Sequence, residues 1–115
     1  MAEYTVYHNP RCSKSRLALQ YLEAEGKDFD IVEYLKEIPT ADTMDDILNK
    51  LGMEPEALLR KNEADFKQNF KGKELSRTEW IEAMRTFPKL IERPIVIKGK
   101  KAVVARPAEK IAELD

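Results

Sequence analysis

Between Tyr4 and Tyr34 the apolar residues change period twice, and that switch limits what the chain can fold into more than any other feature. Tyr4 to His8 reads as a short strand, with Tyr4 and Val6 on one face and Thr5 and Tyr7 on the other. Asn9-Pro10 breaks it. From Ser13 to about Glu25, Leu17, Tyr21 and Ala24 recur at helical spacing, with Ala18 and Leu22 widening the stripe. Gly26 is the natural stop. Phe29 to Tyr34 then returns to strand. Strand, helix and strand in succession imply a parallel pair joined by a right-handed crossover.

The middle of the chain is helical in pattern. Met44, Ile47, Leu48 and Leu51 form one stripe, stopped by Gly52. Pro55 suits the first position of a short helix carrying Leu58 and Leu59. Phe66 and Phe70 share the face of another. Ser76-Arg77-Thr78-Glu79 fits a capping box, followed by Trp80, Ile81, Met84 and Phe87 at helical spacing, and Pro88 closes that helix. Ile95–Ile97 and Ala102–Val104 flank Lys98-Gly99-Lys100-Lys101 as a hairpin whose turn type is not evident. Pro107 opens a last helix with Ile111 and Leu114. The expected fold is α/β: a mixed four-stranded sheet in the order βαβ…ββα, with helices on both faces and a helical insertion over about residues 39–88. That frame is similar to the thioredoxin arrangement.

At 115 residues the chain suits one domain, residues 1–115, which buries roughly 65% of its unfolded surface without metal or disulfide support. Lys and Arg number 20 against 21 Asp and Glu, so the net charge of −1 argues against a nucleic-acid partner. Lys98, Lys100 and Lys101 at the hairpin read as a solvated turn. One Cys and one His exclude an internal disulfide and the usual Cys/His zinc site, so no metal is expected. The N-terminus lacks the basic and apolar regions of a signal peptide, and no uncharged run approaches the roughly 18 residues of a membrane helix. The expectation is a cytoplasmic protein, with no membrane partner and Cys12 kept as a free thiol.

Cys12 falls at the junction of the first strand and first helix. Unpaired N–H groups and the macrodipole at a helix N-terminus favour an anion, so a thiolate there is stabilised. Residues 9–16 add Arg11, Lys14 and Arg16 and no acid, and Ser13 and Ser15 supply hydroxyls. A lone cysteine is usually a small buried hydrophobe, but this one lies in a polar, basic loop and not on an apolar stripe. The same segment therefore offers a nucleophile and a seat for an oxyanion. A redox C-x-x-C is absent, because Ser15 occupies the second position. A tyrosine-phosphatase loop would need arginine where the chain has Ala18, and no Gly-rich phosphate loop is present. Without a resolving cysteine, the electrons must come from another molecule. His8, at the end of the first strand, is a base or tuning group for the thiol, or a structural histidine.

The segment Tyr7-His8-Asn9-Pro10-Arg11-Cys12-Ser13-Lys14-Ser15-Arg16 closely resembles the active-site segment of the glutaredoxin-dependent arsenate reductases, the ArsC family. Ala57–Asn62, Leu90–Val96 and Ala105-Arg106-Pro107 extend the likeness over nearly the whole chain, and the Arg-Cys-Ser-Lys-Ser version looks most like the arsenate reductase-related branch. The resemblance implies a thioredoxin-like fold with a helical insert. It implies that Cys12 is the nucleophile and that Arg60, Arg93 and Arg106 surround the arsenic oxyanion, for which the forked, permanently charged guanidinium is suited. It further implies a cis peptide at Pro94, and an anion loop shaped by Asn9, Ser15 and Arg16. The implied activity is reduction of arsenate to arsenite with glutathione as co-substrate, glutaredoxin as partner and no bound cofactor. Two other functions fit the same features: a glutathione-dependent thiol reductase or transferase that does not use arsenate, and a non-catalytic regulator similar to the Spx type that binds RNA polymerase. The latter typically carries C-x-x-C, which Ser15 removes here.

Overall fold

The computed structural model describes residues 2–114. They form two compact units, one built from the residues up to Glu37 together with those from Arg93 onward, the other from Ile38–Glu92.

The first unit holds a four-stranded sheet of β1 (Tyr4–Tyr7), β2 (Phe29–Val32), β3 (Ile95–Lys98) and β4 (Lys101–Val104). The strand order is β2-β1-β3-β4. β1 runs parallel to β2, with Tyr4 opposite Phe29 and Tyr7 opposite Val32. It runs antiparallel to β3, with Val6 opposite Val96. β3 and β4 are antiparallel. The crossover from β1 to β2 is the helix α1 (Ser13–Ala24). This is the mixed, thioredoxin-like α/β sheet expected from the βαβ…ββα pattern.

Tyr4, Val6 and Val96 of the sheet, Ala18 and Leu22 of α1, and Ile111 and Leu114 of the C-terminal segment close one core. Within this unit α1 and the C-terminal segment therefore cover the same face of the sheet, not opposite faces. The register of α1 also departs from the sequence stripe. Its buried residues are Ser15, Ala18 and Leu22, whereas Leu17 is 45% exposed. Small residues let the helix lie close to the sheet, and that packing overrides the hydrophobicity of Leu17.

β2 ends at Val32, two residues short of the expected span, although Tyr34 beyond it is fully buried. The β3–β4 turn is resolved by its glycine: Gly99 has φ 61° and Lys100 has no positive φ, the pattern of a type II′ hairpin turn. The last helix, expected after Pro107, is a 3₁₀ segment over Ala108–Leu114. It still buries Ile111 and Leu114, so tertiary packing holds a winding that is uncommon at this length.

The second unit contains α2 (Ala41–Leu51), α3 (Ala64–Asn69) and α4 (Arg77–Thr86). Thr40 caps α2 by accepting the Thr43 N–H at 3.2 Å, and Gly52 ends it at φ 68°. Ser76 and Glu79 form the anticipated capping box: Ser76 Oγ accepts the Glu79 N–H at 3.2 Å, and Glu79 Oε1 accepts the Ser76 N–H at 3.0 Å. Met44, Ile47 and Leu48 of α2 and Trp80, Ile81 and Met84 of α4 are buried. Trp80 stacks on Phe66 at 6.2 Å between ring centroids and meets Phe70 at 5.8 Å, and Phe70 meets Phe87 edge-on.

An isolated antiparallel bridge pairs Leu59 with Ile91. The Arg60 N–H donates to Leu90 O at 2.7 Å, and the Glu92 N–H donates to Leu58 O at 2.8 Å. Arg60 is thus fixed beside Leu90 and Glu92 within the second unit.

Candidate active site

Residues 9–16 wind from the end of β1 into α1 through a set of local hydrogen bonds. Asn9 is the hub. Its Oδ1 accepts the Arg11 N–H at 3.0 Å, and its backbone oxygen accepts the Cys12 N–H at 3.0 Å. Its own N–H donates to Ser15 Oγ at 3.3 Å. Ser15 is fully buried, so this hydroxyl closes the loop from inside. Arg16 closes it from outside by donating from Nη1 to Pro10 O at 2.9 Å. Asn9 and Ser15 build the loop as short polar side chains do at turns, and the long Arg16 side chain reaches back to brace it.

The result is that Cys12 becomes the N-cap of α1, with extended φ −95° and ψ 121°. Its carbonyl accepts the Arg16 N–H at 3.1 Å, the first bond of the helix. The side chain is partly accessible. No side-chain capping bond forms, and the first turn of α1 carries no acid. The helix-end partial charge is left to the thiol.

Burial pushes the Cys12 thiol pKa up. The backbone N–H groups of Ser15 and Lys14, then the Arg93 guanidinium, then the Ser15 hydroxyl, oppose burial, and together they hold the pKa below the ordinary cysteine value. The thiolate is the nucleophilic form. Alkylation of Cys12 by iodoacetamide should therefore keep its rate to lower pH than alkylation of a free thiol, and fall only as pH drops through the lowered pKa. Removing the cation in Arg93→Gln should move the midpoint upward. A midpoint at or above the ordinary thiol value in the unmodified chain would contradict the assignment.

Arg93 is half-buried and precedes Pro94, which is buried. The Arg93–Pro94 peptide is cis. Pro94 O accepts the Ala105 N–H at 2.9 Å, which ties this segment to the end of β4. Arg106 follows directly, exposed, with Nη1 donating to Arg93 O at 3.4 Å. A second cis peptide, Arg106–Pro107, had no counterpart in the sequence expectations. Cys12, Arg93 and Arg106 thus belong to one neighbourhood of the first unit.

Arg60 stands in the second unit and is engaged there. Its guanidinium pairs with Glu63, lies 3.9 Å from Glu92 Oε1, and donates to Lys89 O at 3.4 Å. Sequence reasoning named Arg60 but not these carboxylates. Glu63 is brought back to Arg60 by a local turn, closed by the Glu63 N–H donating to Arg60 O at 3.1 Å; Glu92 reaches Arg60 through the Leu59–Ile91 bridge.

His8 is buried, and its backbone N–H donates to Val32 O at 2.9 Å. Burial lowers its pKa, Glu33 raises it and Arg16 lowers it further, with a net fall. The imidazole is neutral at neutral pH. Among the described residues, no group of three His, Cys, Asp or Glu side chains is placed to hold a metal ion. Among them, too, no helix is long and apolar enough to cross a membrane.

A partly accessible cysteine caps the first helix of a thioredoxin-like sheet, with Arg93 and Arg106 at the β3 and β4 ends, and this defines a thioredoxin-like protein with a single-cysteine site. The chain belongs to the ArsC family, whose model matches residues 7–114. It is 39% identical over 113 residues to an arsenate reductase of Neisseria meningitidis serogroup B, covering 96% of this chain and 97% of that one. It is 42% identical over 111 residues to the uncharacterized protein YfgD of Escherichia coli K12, covering 95% and 93%. The solved arsenate reductase from Vibrio cholerae superposes with a TM-score of 0.94 at 36% identity, over 99% of this chain and 98% of that chain.

Proposed function

We propose that the chain reduces arsenate to arsenite, with Cys12 as nucleophile, glutathione as co-substrate and glutaredoxin as protein reductant. The observation that carries this reading is the Cys12 thiol: a partly accessible N-cap residue whose pKa is held down by helix N–H groups and Arg93. Relatives named arsenate reductase, at 39% and 32% identity, support arsenate as the substrate.

Arsenate binds at the N-terminus of α1, where N–H dipoles and guanidinium groups favour an oxyanion. The Cys12 thiolate attacks As(V), an As–S bond forms, and a protonated oxygen leaves as hydroxide. Arsenic is still As(V) at this point. Glutathione then attacks the arsenic of the thiol-linked arsenate and displaces a second hydroxide. A glutaredoxin thiolate attacks the glutathione sulfur, so that the glutathione–arsenic bond breaks and its electron pair stays on arsenic as As(III). Water then cleaves the Cys12–arsenic bond, freeing arsenite and the thiol. Over the cycle two thiols become one disulfide, their two electrons reduce As(V) to As(III), and one oxygen departs as water. Ser15 in place of a second cysteine is why this chain draws both thiols from outside. Such a cycle suits a reducing compartment, the cytoplasm.

The roles of the arginines separate in kinetics. Arg93 bears on Cys12 itself, whereas Arg106 is exposed and joins the site through the Arg93 backbone. Arg106→Ala should raise the arsenate KM about 10- to 100-fold, the size of one or two charge-assisted hydrogen bonds, and leave the pH midpoint of Cys12 alkylation unchanged. The assay is NADPH consumption coupled through glutathione reductase, with glutathione and glutaredoxin, in the presence and absence of arsenate. Turnover of a glutathione mixed disulfide with no response to arsenate would replace this reading by thiol transfer.

A further inference from the structure

Beside the site lies a cavity of about 350 Å³ that the proposed cycle has not yet used. Lys14, Leu17 and Tyr21 of α1 form one wall, and Pro107, Ala108 and Glu109 form the other. Its volume is in the range of small-molecule sites. It begins two residues from the nucleophile, since the backbone N–H of its first wall residue, Lys14, is one of those that favour the Cys12 thiolate.

Two features of its lining call for an occupant. Leu17 leaves 45% of its surface in water, although it sits on a helix whose small residues are buried. Apolar surface of this kind on a cavity wall gains by being covered. The charged residues are a single cation, Lys14, and a single acid, Glu109. No salt bridge among the described residues engages either one. An apolar wall carrying one free positive and one free negative group is complementary to a small zwitterion, with carboxylate toward Lys14 and ammonium toward Glu109.

We infer that this cavity seats glutathione: the Lys14 ammonium takes a glutathione carboxylate, Glu109 takes the γ-glutamyl ammonium, and Leu17 and Tyr21 cover the peptide. The inference rests on the use of a small thiol in the proposed cycle and adds where that thiol is held. Proximity then makes the second attack effectively intramolecular.

The test is titration of S-methylglutathione, which cannot react, into the isotope-labelled chain, followed by amide resonances and without arsenate. The signals of Leu17, Tyr21 and Ala108 should shift saturably. Lys14→Gln and Glu109→Gln should each weaken binding about three- to fivefold, as expected for partly exposed ion pairs. N-acetylation of the ligand, which removes its ammonium, should weaken binding to the unmodified chain and add nothing to Glu109→Gln. Saturable shifts confined to residues 9–13, or no saturable shift, would overturn the assignment. So would shifts at these positions caused by reduced glutaredoxin but not by S-methylglutathione, which would give the surface to the protein reductant. Because arsenate is absent, binding without arsenate turnover would retire the arsenate reading and leave the cavity assignment standing. Turnover without binding here would do the reverse.

Discussion

Cys12→Ser should reduce arsenate-dependent NADPH consumption by at least about a thousandfold, to the background of the coupled assay. The substitution changes one atom and leaves the N-cap backbone, Arg93 and Arg106 in place. The lost step is chemical. A serine hydroxyl at this N-cap stays protonated at neutral pH, whereas the thiol is held below its ordinary pKa by the Ser15 and Lys14 N–H groups and Arg93 against the upward push of burial. A serine oxygen that did attack would also leave an As–O bond in place of the As–S bond from which the rest of the cycle proceeds. Serine is itself a good N-cap, so the thermal midpoint should be kept or raised, which separates lost chemistry from lost folding. Substantial arsenate turnover by the serine variant, measured against enzyme-free controls, would remove Cys12 as nucleophile and with it the whole cycle.

The largest stability effect should fall in the second unit. Trp80→Ala should cost about 3–5 kcal/mol, read as a fall in the urea midpoint by far-UV circular dichroism. Trp80 is 3% exposed and stacks on Phe66 at 6.2 Å and 11°, with Phe70 at 5.8 Å. Truncation removes its buried area and both ring contacts, and leaves a void that α3, only six residues long, cannot fill. Against a typical total of about 5–15 kcal/mol, the loss is a large fraction. Trp80→Phe should recover most of it. A cost below about 1 kcal/mol for alanine would mean that the second unit does not depend on its aromatic cluster.

Much of this architecture was legible in the residues because the signals are local. Ser76 and Glu79 fix a helix start by side-chain reach alone, and Gly52 fixes a stop by its backbone freedom. The strand–helix–strand opening follows from period. The phase of α1 was not legible in the same way. Periodicity favoured Leu17, yet Ser15, Ala18 and Leu22 face inward, since the choice depends on how closely the helix approaches the sheet. The C-terminal winding was also hidden, because α and 3₁₀ spacings bury Ile111 and Leu114 alike.

For the site, a helix N-terminus with basic flanks was enough to single out Cys12. Arg16 reads differently in three dimensions, as its Nη1 clamps the Pro10 carbonyl. The carboxylates around Arg60 divide the same way: Glu63 is brought back by a local turn, while Glu92 is brought in by a non-local bridge. The cavity between α1 and Pro107–Glu109 joins segments far apart in sequence, which no single-window pattern detects.

The acid-free first turn of α1 also bears on how this chain can be hardened against heat. A protein engineer would ordinarily put Asp or Glu at positions 13 to 15, where a negative side chain complements the helix end. Here that gain would be taken from the thiolate, which depends on the same N–H groups, and the modified chain would melt later and react more slowly. Durability is better sought at the other end of α1, where Glu23 is exposed and no basic residue stands in the last turn. Evolution toward heat tolerance in such a chain is channelled in the same direction, with the first turn held back by chemistry and the last turn free to drift.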